Sequence, residues 1–132
     1  MSGFFVSFRV RHANRDLSNL FASLGLIPTQ SWKAGEQRVS PTGLSLGGIH
    51  NSSYYCCDLP LQDSDDLAEW LDRAIDLLNP FAEQLAHITK DGGSLCFFVS
   101  LESGVFEGTT LSPSLLARLS TINTSLDIDR SF

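Results

Sequence analysis

The cysteines of this sequence, together with His50, are the residues best suited to bind a metal ion. Structural zinc sites use ligands spaced so that both can point at the ion, as in Cys-x-x-Cys. Cys56 and Cys57 are adjacent, and adjacent residues of a strand point to opposite faces. Cys96 falls in an apolar strand, where a thiol packs as a small hydrophobe. The sequence therefore predicts no metal site, no cofactor and no disulfide.

The histidines give no recognisable catalytic arrangement. His12, His50 and His87 fall at a strand end, in a loop and at a helix end, without a nucleophile and an orienting carboxylate at a known spacing. The chain also lacks Gly-x-Ser-x-Gly, a phosphate-binding glycine loop and His-Glu-x-x-His. We therefore assign no catalytic residue, and an enzyme would need a site assembled from distant residues.

Paired carboxylates occur near the C-terminus. Asp127 and Asp129 share one face of a predicted strand, an arrangement that suits acid–base chemistry or a bound cation. Arg9 and Arg11 alternate in the same way in the first predicted strand. A solvated sheet face carrying charges of both signs explains these residues more simply, and we prefer that interpretation.

Residues 31–38, "SWKAGEQR", form the main candidate for a contact loop. Trp32 can anchor the segment, with its ring N–H bonded at the rim of the core. Gly35 is expected to supply a positive φ. Lys33, Glu36 and Arg38 would then lie on the surface beside an aromatic ring, a combination that suits recognition of a protein or a small polar ligand. We interpret the segment as a structural corner first and a place of contact second.

Length and charge restrict the class of protein. The 132 residues suit a single domain, 1–132. The net charge of −6 gives no basic excess for neutralising phosphates, so we expect no nucleic-acid partner and no anionic membrane surface. No apolar run is long enough to span a bilayer, and the N-terminus lacks the features of a signal peptide. We therefore expect a cytoplasmic protein. The composition is compatible with a protein partner and with a homodimer.

Alternating apolar residues predict the strands. Residues 4–12 place Phe4, Val6, Phe8 and Val10 on one face. The same reasoning gives further strands over residues 42–48, 52–59, 94–101 and 125–132.

Helical periodicity predicts three helices, over residues 14–26, 64–88 and 111–123. Gly25 ends the first, Ser64 or Asp63 caps the second, and Ser112 caps the third. Pro80 lies inside the second, where it either kinks one helix or begins another, and we favour one kinked helix because the apolar stripe keeps its phase. That stripe consists of Leu67, Leu71, Ala74, Leu78, Phe81, Leu85 and Ile88.

The order β-α-β-β-α-β-α-β indicates an α+β domain of ferredoxin-like type. We expect a mostly antiparallel sheet with two main helices on one face, plus an added C-terminal helix and strand.

Four segments carry a resemblance that spans nearly the whole chain: "LGLIPTQSWKAGE", "TGLSL", "DLAEWLDRAIDLLNPFAEQL" and "LSPSLLARLSTINTSLDIDRSF". In this order they resemble the bacterial family known as domain of unknown function 4279. Two departures concern Leu44, where the family often has an aromatic residue, and residues 47–62, which include Cys56 and Cys57 and form a longer link than usual. The resemblance brings no catalytic residues. It implies a small single-domain bacterial protein, and some members resemble immunity proteins.

The sequence leaves three hypotheses about function. The first is a non-catalytic module, immunity-like, that binds a protein or a ligand through surface contacts. The alternatives are an enzyme with a site assembled from distant residues and a homo-oligomeric structural protein.

Overall fold

The computed structural model describes residues 3–130. Its elements are β1 (Phe4–His12), α1 (Ser18–Leu24), β2 (Gln30–Trp32), β3 (Gln37–Val39), β4 (Ser45–Ile49), β5 (Ser53–Cys57), α2 (Leu67–Leu78), a 3-10 turn (Asn79–Phe81), α3 (Ala82–Lys90), β6 (Ser94–Leu101), α4 (Pro113–Thr121) and β7 (Thr124–Asp129). None of the helices within residues 3–130 is long and apolar enough to cross a membrane.

Two sheets are present in the described part of the chain. The main sheet has the strand order β2-β5-β1-β6-β7, and β3 pairs with β4 in a separate hairpin. β1 runs antiparallel to both of its neighbours, β5 and β6, whereas β7 runs parallel to β6. The α+β class is confirmed, and the sheet is mixed.

The predicted ferredoxin-like arrangement, with two main helices on one face, is not confirmed. β1 lies between β5 and β6 and runs antiparallel to both, while the parallel strand β7 lies beyond β6 at the sheet edge. Between α1 and β5 the chain forms β2 and then the β3–β4 hairpin. β2 pairs antiparallel with β5, so it runs in the direction of β1 and takes the sheet edge.

The core lies on the predicted face of β1. Val6, Phe8 and Val10 are buried there, and they belong to one apolar cluster with Phe97 of β6. Buried side chains from α1, α2, α3 and α4 join the same cluster. Burial of this much apolar surface is the main stabilising contribution to such a domain.

The predicted kinked helix is instead two helices separated by the 3-10 turn that contains Pro80. Proline has no backbone N–H and its ring clashes with the preceding turn, so the α-helical bonding pattern is interrupted there. The apolar stripe nevertheless continues, since its members are buried apart from the half-buried Phe81. The cap of α2 is Asp66 rather than Ser64 or Asp63, because its carboxylate accepts a bond from the Ala68 N–H.

Other helix boundaries follow the predictions. Gly25 ends α1 in the left-handed region, with φ of 68°. The Ser112 hydroxyl caps α4 by accepting a bond of 3.1 Å from the Leu115 N–H. The last predicted strand is β7, and residues 131–132 of that prediction lie outside the described residues.

Candidate functional site

Trp32 joins the edge of the main sheet to the chain that follows. It is the last residue of β2 and lies opposite Tyr54 in β5, with ring centroids 4.7 Å apart. The other stacking partner of Trp32 is His50, at 4.2 Å between centroids. The indole is half-buried, so it anchors the segment while part of its surface stays accessible.

The corner after Trp32 is held mainly by backbone hydrogen bonds. Gly35 has the predicted positive φ, at 90°. Its N–H donates to the His50 carbonyl and the His50 N–H donates to the Glu36 carbonyl, each at 2.9 Å. The Glu36 carboxylate also accepts a bond from the Lys33 N–H. The corner therefore fixes where the β3–β4 hairpin leaves the main sheet.

An open cleft of about 850 Å³ separates β2 from the β3–β4 hairpin. We call it the hairpin cleft. Of the residues selected from the sequence, Trp32, Glu36 and Arg38 line it, whereas Lys33 and Gly35 form the corner behind it. The structure thus brings three of the five candidates to one concave surface.

Residues that the sequence analysis did not select complete the hairpin cleft. They include the imidazole of His50 and the exposed side chains of Val39 and Leu46. His50 reaches the cleft because it follows β4 and stacks on Trp32. The alternation of Leu44 and Leu46 with small residues was the available signal, since exposed apolar side chains on a short hairpin often mark a contact surface.

Two side chains of opposite charge line the hairpin cleft. Glu36 and Arg38 are both exposed. The Arg38 guanidinium forms no ion pair with another described residue, whereas Arg73, Arg118 and Arg15 pair with carboxylates elsewhere. A cation and an anion beside an aromatic ring and apolar side chains form a surface suited to recognition of a polypeptide.

The thiols are separated, as the strand pattern predicts for Cys56 and Cys57. Cys57 is in the core, whereas Cys56 lies opposite Arg9 on the other face of the sheet. The prediction for Cys96 is wrong, because its thiol lies outside the core and donates to Asp127 at 3.1 Å. Within residues 3–130 no group of three histidine, cysteine or acidic side chains is arranged to hold a metal ion.

Cys57 and Cys96 are also poor nucleophiles. Burial raises the pKa of Cys57 to about 12. Burial, and then the hydrogen bond to Asp127, raise the pKa of Cys96 to about 12 as well. Because the thiolate is the reactive form, both groups are held in their unreactive state at neutral pH.

The histidines do not assemble a hydrolytic triad in the described part of the chain. His12 is buried, and its Nδ1 accepts bonds from the N–H groups of Asn14 and Arg15 at 3.2 and 3.0 Å. Its Nε2 lies 3.9 Å from the Asp91 carboxylate. This geometry places the proton of neutral His12 on Nε2 and gives the ring the structural task of closing the turn after β1.

Comparison with protein-family models gives a match over nearly the whole chain. The family model described as Domain of unknown function (DUF4279) matches residues 2–132. No curated protein and no solved structure matches the chain.

Proposed function

The chain belongs to the family described as Domain of unknown function (DUF4279), and from the geometry of the hairpin cleft we propose that it is a non-catalytic module that binds a protein partner. The observation that supports this most directly is the convergence of Trp32, Arg38 and His50 on one cleft. Tryptophan and arginine are enriched among the residues that dominate binding energy at protein interfaces.

The apolar side chains of the hairpin support a protein rather than a small polar molecule. Val39, Leu44, Leu46 and Ile49 are all more than half exposed. A monomeric protein seldom concentrates large exposed apolar side chains on one short element without a contact function. A protein partner would remove this surface from water, and the exposed charges of Arg38 and Glu36 would fix its orientation.

In this proposal the module acts in the bacterial cytoplasm as an immunity-like protein does, by covering a surface of its partner rather than by changing it chemically. The described lining of the hairpin cleft contains no cysteine, and the proposal assigns the cleft no chemical step.

The test compares cleft variants with matched surface variants. Arg38→Glu and Leu46→Asp change the hairpin cleft, while Arg73→Glu on α2 and Leu116→Asp on α4 make the same changes elsewhere. Tagged forms of all four and of the wild type are used to capture proteins from a lysate of the source organism. Any protein captured by the wild type is then purified, and its affinity for each form is measured by calorimetry.

The proposal expects each cleft variant to weaken binding at least about ten-fold, which corresponds to about 1.4 kcal/mol. The surface variants should stay within about two-fold of the wild type, because substitutions outside an interface leave affinity nearly unchanged. Cleft variants that bind as tightly as their matched controls would show that the partner uses another surface.

A homodimer is the second candidate, and the exposed Leu44 and Ile49 on the hairpin favour it. A stable symmetric interface needs a self-complementary apolar patch, which two hairpins packed together could supply. Sedimentation velocity over a range of protein concentrations distinguishes a homodimer from a monomer that binds another protein. A dimer that Leu46→Asp dissociates and Leu116→Asp leaves intact would assign the hairpin to self-association.

A further inference from the structure

A second cluster of chemistry-bearing side chains lies on the sheet face that points away from the core. Arg9 and Arg11 of β1 point to this face, because they alternate with the buried Phe8 and Val10. β1 is the central strand of the main sheet. Two cations therefore lie on the central strand of this sheet face.

Both guanidinium groups are held in fixed positions by aromatic rings. The Cζ atom of Arg9 lies 3.9 Å from the ring centroid of Phe98, and that of Arg11 lies 4.8 Å from the ring centroid of Tyr54. Such cation–π contacts orient the guanidinium plane and lower the entropy that would be lost on binding.

Most of the hydrogen-bond donors of these arginines have no partner among residues 3–130. The Nε–H of Arg9 donates to Ser7 Oγ, and Nη1 of Arg11 donates to Ser52 Oγ, each at 3.1 Å. Neither guanidinium forms an ion pair with another described residue. Because the chain has fifteen acidic and only nine basic residues, carboxylates are available in excess as partners for Arg9 and Arg11.

A small pocket of about 200 Å³ lies between these groups, lined by Arg9, Arg11, Tyr54, Phe98 and Asp127 among others. Burial is the first cause that raises the pKa of Tyr54 to about 12, so its hydroxyl remains protonated at neutral pH. Asp127, the acidic group of the pocket, accepts a bond from the Cys96 thiol at 3.1 Å.

We propose that Arg9 and Arg11 form an oxyanion-binding site on this open sheet face, which takes the carboxylate or phosphate group of a small molecule. Guanidinium groups bind both kinds of oxyanion through paired N–H donors. At about 200 Å³ the pocket is smaller than a typical ligand pocket, so it would hold the oxyanion group and leave the rest of the molecule on the open sheet face. The pocket shares no lining residue with the hairpin cleft, and the site goes beyond the proposed binding of a protein partner.

The test titrates the protein with sodium phosphate and, separately, with sodium acetate, each against sodium chloride at equal ionic strength. The Nε–H signals of Arg9 and Arg11 are followed by ¹H–¹⁵N NMR. If the site exists, these signals should shift saturably with phosphate, with acetate or with both, and not with chloride. The oxyanion with the lower Kd shows whether the site prefers a phosphate or a carboxylate group.

Variants show whether the shifts report these two arginines. Arg9→Gln and Arg11→Gln should raise the Kd at least about ten-fold, since each removes a charged partner of the ligand. Arg73→Gln is the matched control, because it removes one positive charge on α2 and should leave the Kd within about two-fold.

Asp127→Asn gives a result that a purely structural role for the arginines would not produce. Removing the negative charge from the pocket should tighten oxyanion binding by about two- to five-fold. Shifts that are equal in chloride and oxyanion, or a Kd unchanged in both arginine variants and in Asp127→Asn, would overturn the proposal.

Discussion

The indole of Trp32 lies almost parallel to the imidazole of His50, with centroids 4.2 Å apart and planes 12° apart. This stack joins β2 at the edge of the main sheet to the end of β4. Two backbone hydrogen bonds between His50 and the corner, to Gly35 and Glu36, support the same connection. The position of the hairpin, and with it the shape of the hairpin cleft, depends on this small set of contacts.

Replacing Trp32 tests that dependence. Trp32→Ala should lower the free energy of unfolding by about 1–3 kcal/mol, because two aromatic contacts of about 0.5–1.5 kcal/mol each are lost. Trp32→Phe keeps a ring and should lose less, and Lys33→Ala should stay within about 0.5 kcal/mol. Urea unfolding followed by circular dichroism measures all three. A Trp32→Ala protein as stable as the wild type would contradict the anchoring role.

Replacing Gly35 tests the corner through its backbone. A Cβ at this position would meet no atom within 4 Å, so the cost of Gly35→Ala comes from the positive φ of 90° rather than from a clash. We expect a loss of about 1 kcal/mol. Gly35→Asn should recover part of it, because asparagine tolerates left-handed backbone better than alanine. Thermal unfolding measures both, and an alanine variant at least as stable as the wild type would refute the argument.

Leu78 tests the apolar stripe at the point where α2 ends. Its side chain is 1% exposed. Leu78→Ala should destabilise the protein by about 2–5 kcal/mol, through lost transfer energy and the cavity left behind. Leu116→Ala on α4 is the control, because Leu116 is 49% exposed and should cost much less. Equal urea midpoints for the two variants would show that Leu78 is not part of the core.

The buried thiol of Cys57 predicts alkaline destabilisation. Its pKa rises from about 9 to about 12 on folding, because burial disfavours the thiolate. As the pH rises, the thiol therefore ionises at a lower pH in the unfolded chain than in the folded protein. Its contribution to the free energy of unfolding is complete below pH 9 and is lost as the pH rises towards 12. The loss from one such group is at most about 1.4 kcal/mol per pH unit.

Urea unfolding at a series of alkaline pH values measures this dependence. Cys57→Ala should be less stable than the wild type near neutrality. Above pH 9 its stability should fall less steeply, because it lacks the thiol whose ionisation destabilises the wild type there. Cys57→Ser is unsuitable as a control because it buries a hydroxyl without a partner. Parallel pH curves for the wild type and Cys57→Ala would contradict the prediction.

Elements with a long apolar pattern were predictable from the sequence. The alternation in residues 4–12 gives β1 with its buried face, and residues 94–101 coincide with β6. The strands β2 and β3 were not predicted separately, because each has only three residues and little apolar periodicity. Their conformation depends on partners distant in sequence, such as the pairing of Trp32 with Tyr54.

The candidate site was predictable only in part, for a similar reason. Trp32, Glu36 and Arg38 could be selected because an aromatic ring and charges follow one another in a turn. His50 was considered only as a metal ligand and as a catalytic histidine, since its place beside Trp32 results from the closure of the hairpin. The arginine pair was interpreted as a solvated face, and its missing ion pairs became evident only from three-dimensional distances.

The separate pairing of β3 with β4 has a consequence for how this protein can evolve. Because the hairpin shares no strand pairing with the main sheet, its side chains can be exchanged with little effect on the core. Selection on Val39, Leu46 or Arg38 then acts on recognition almost independently of folding stability. A chain built in this way can acquire a new binding preference through a few surface substitutions, while the selective pressure on its interior stays the same.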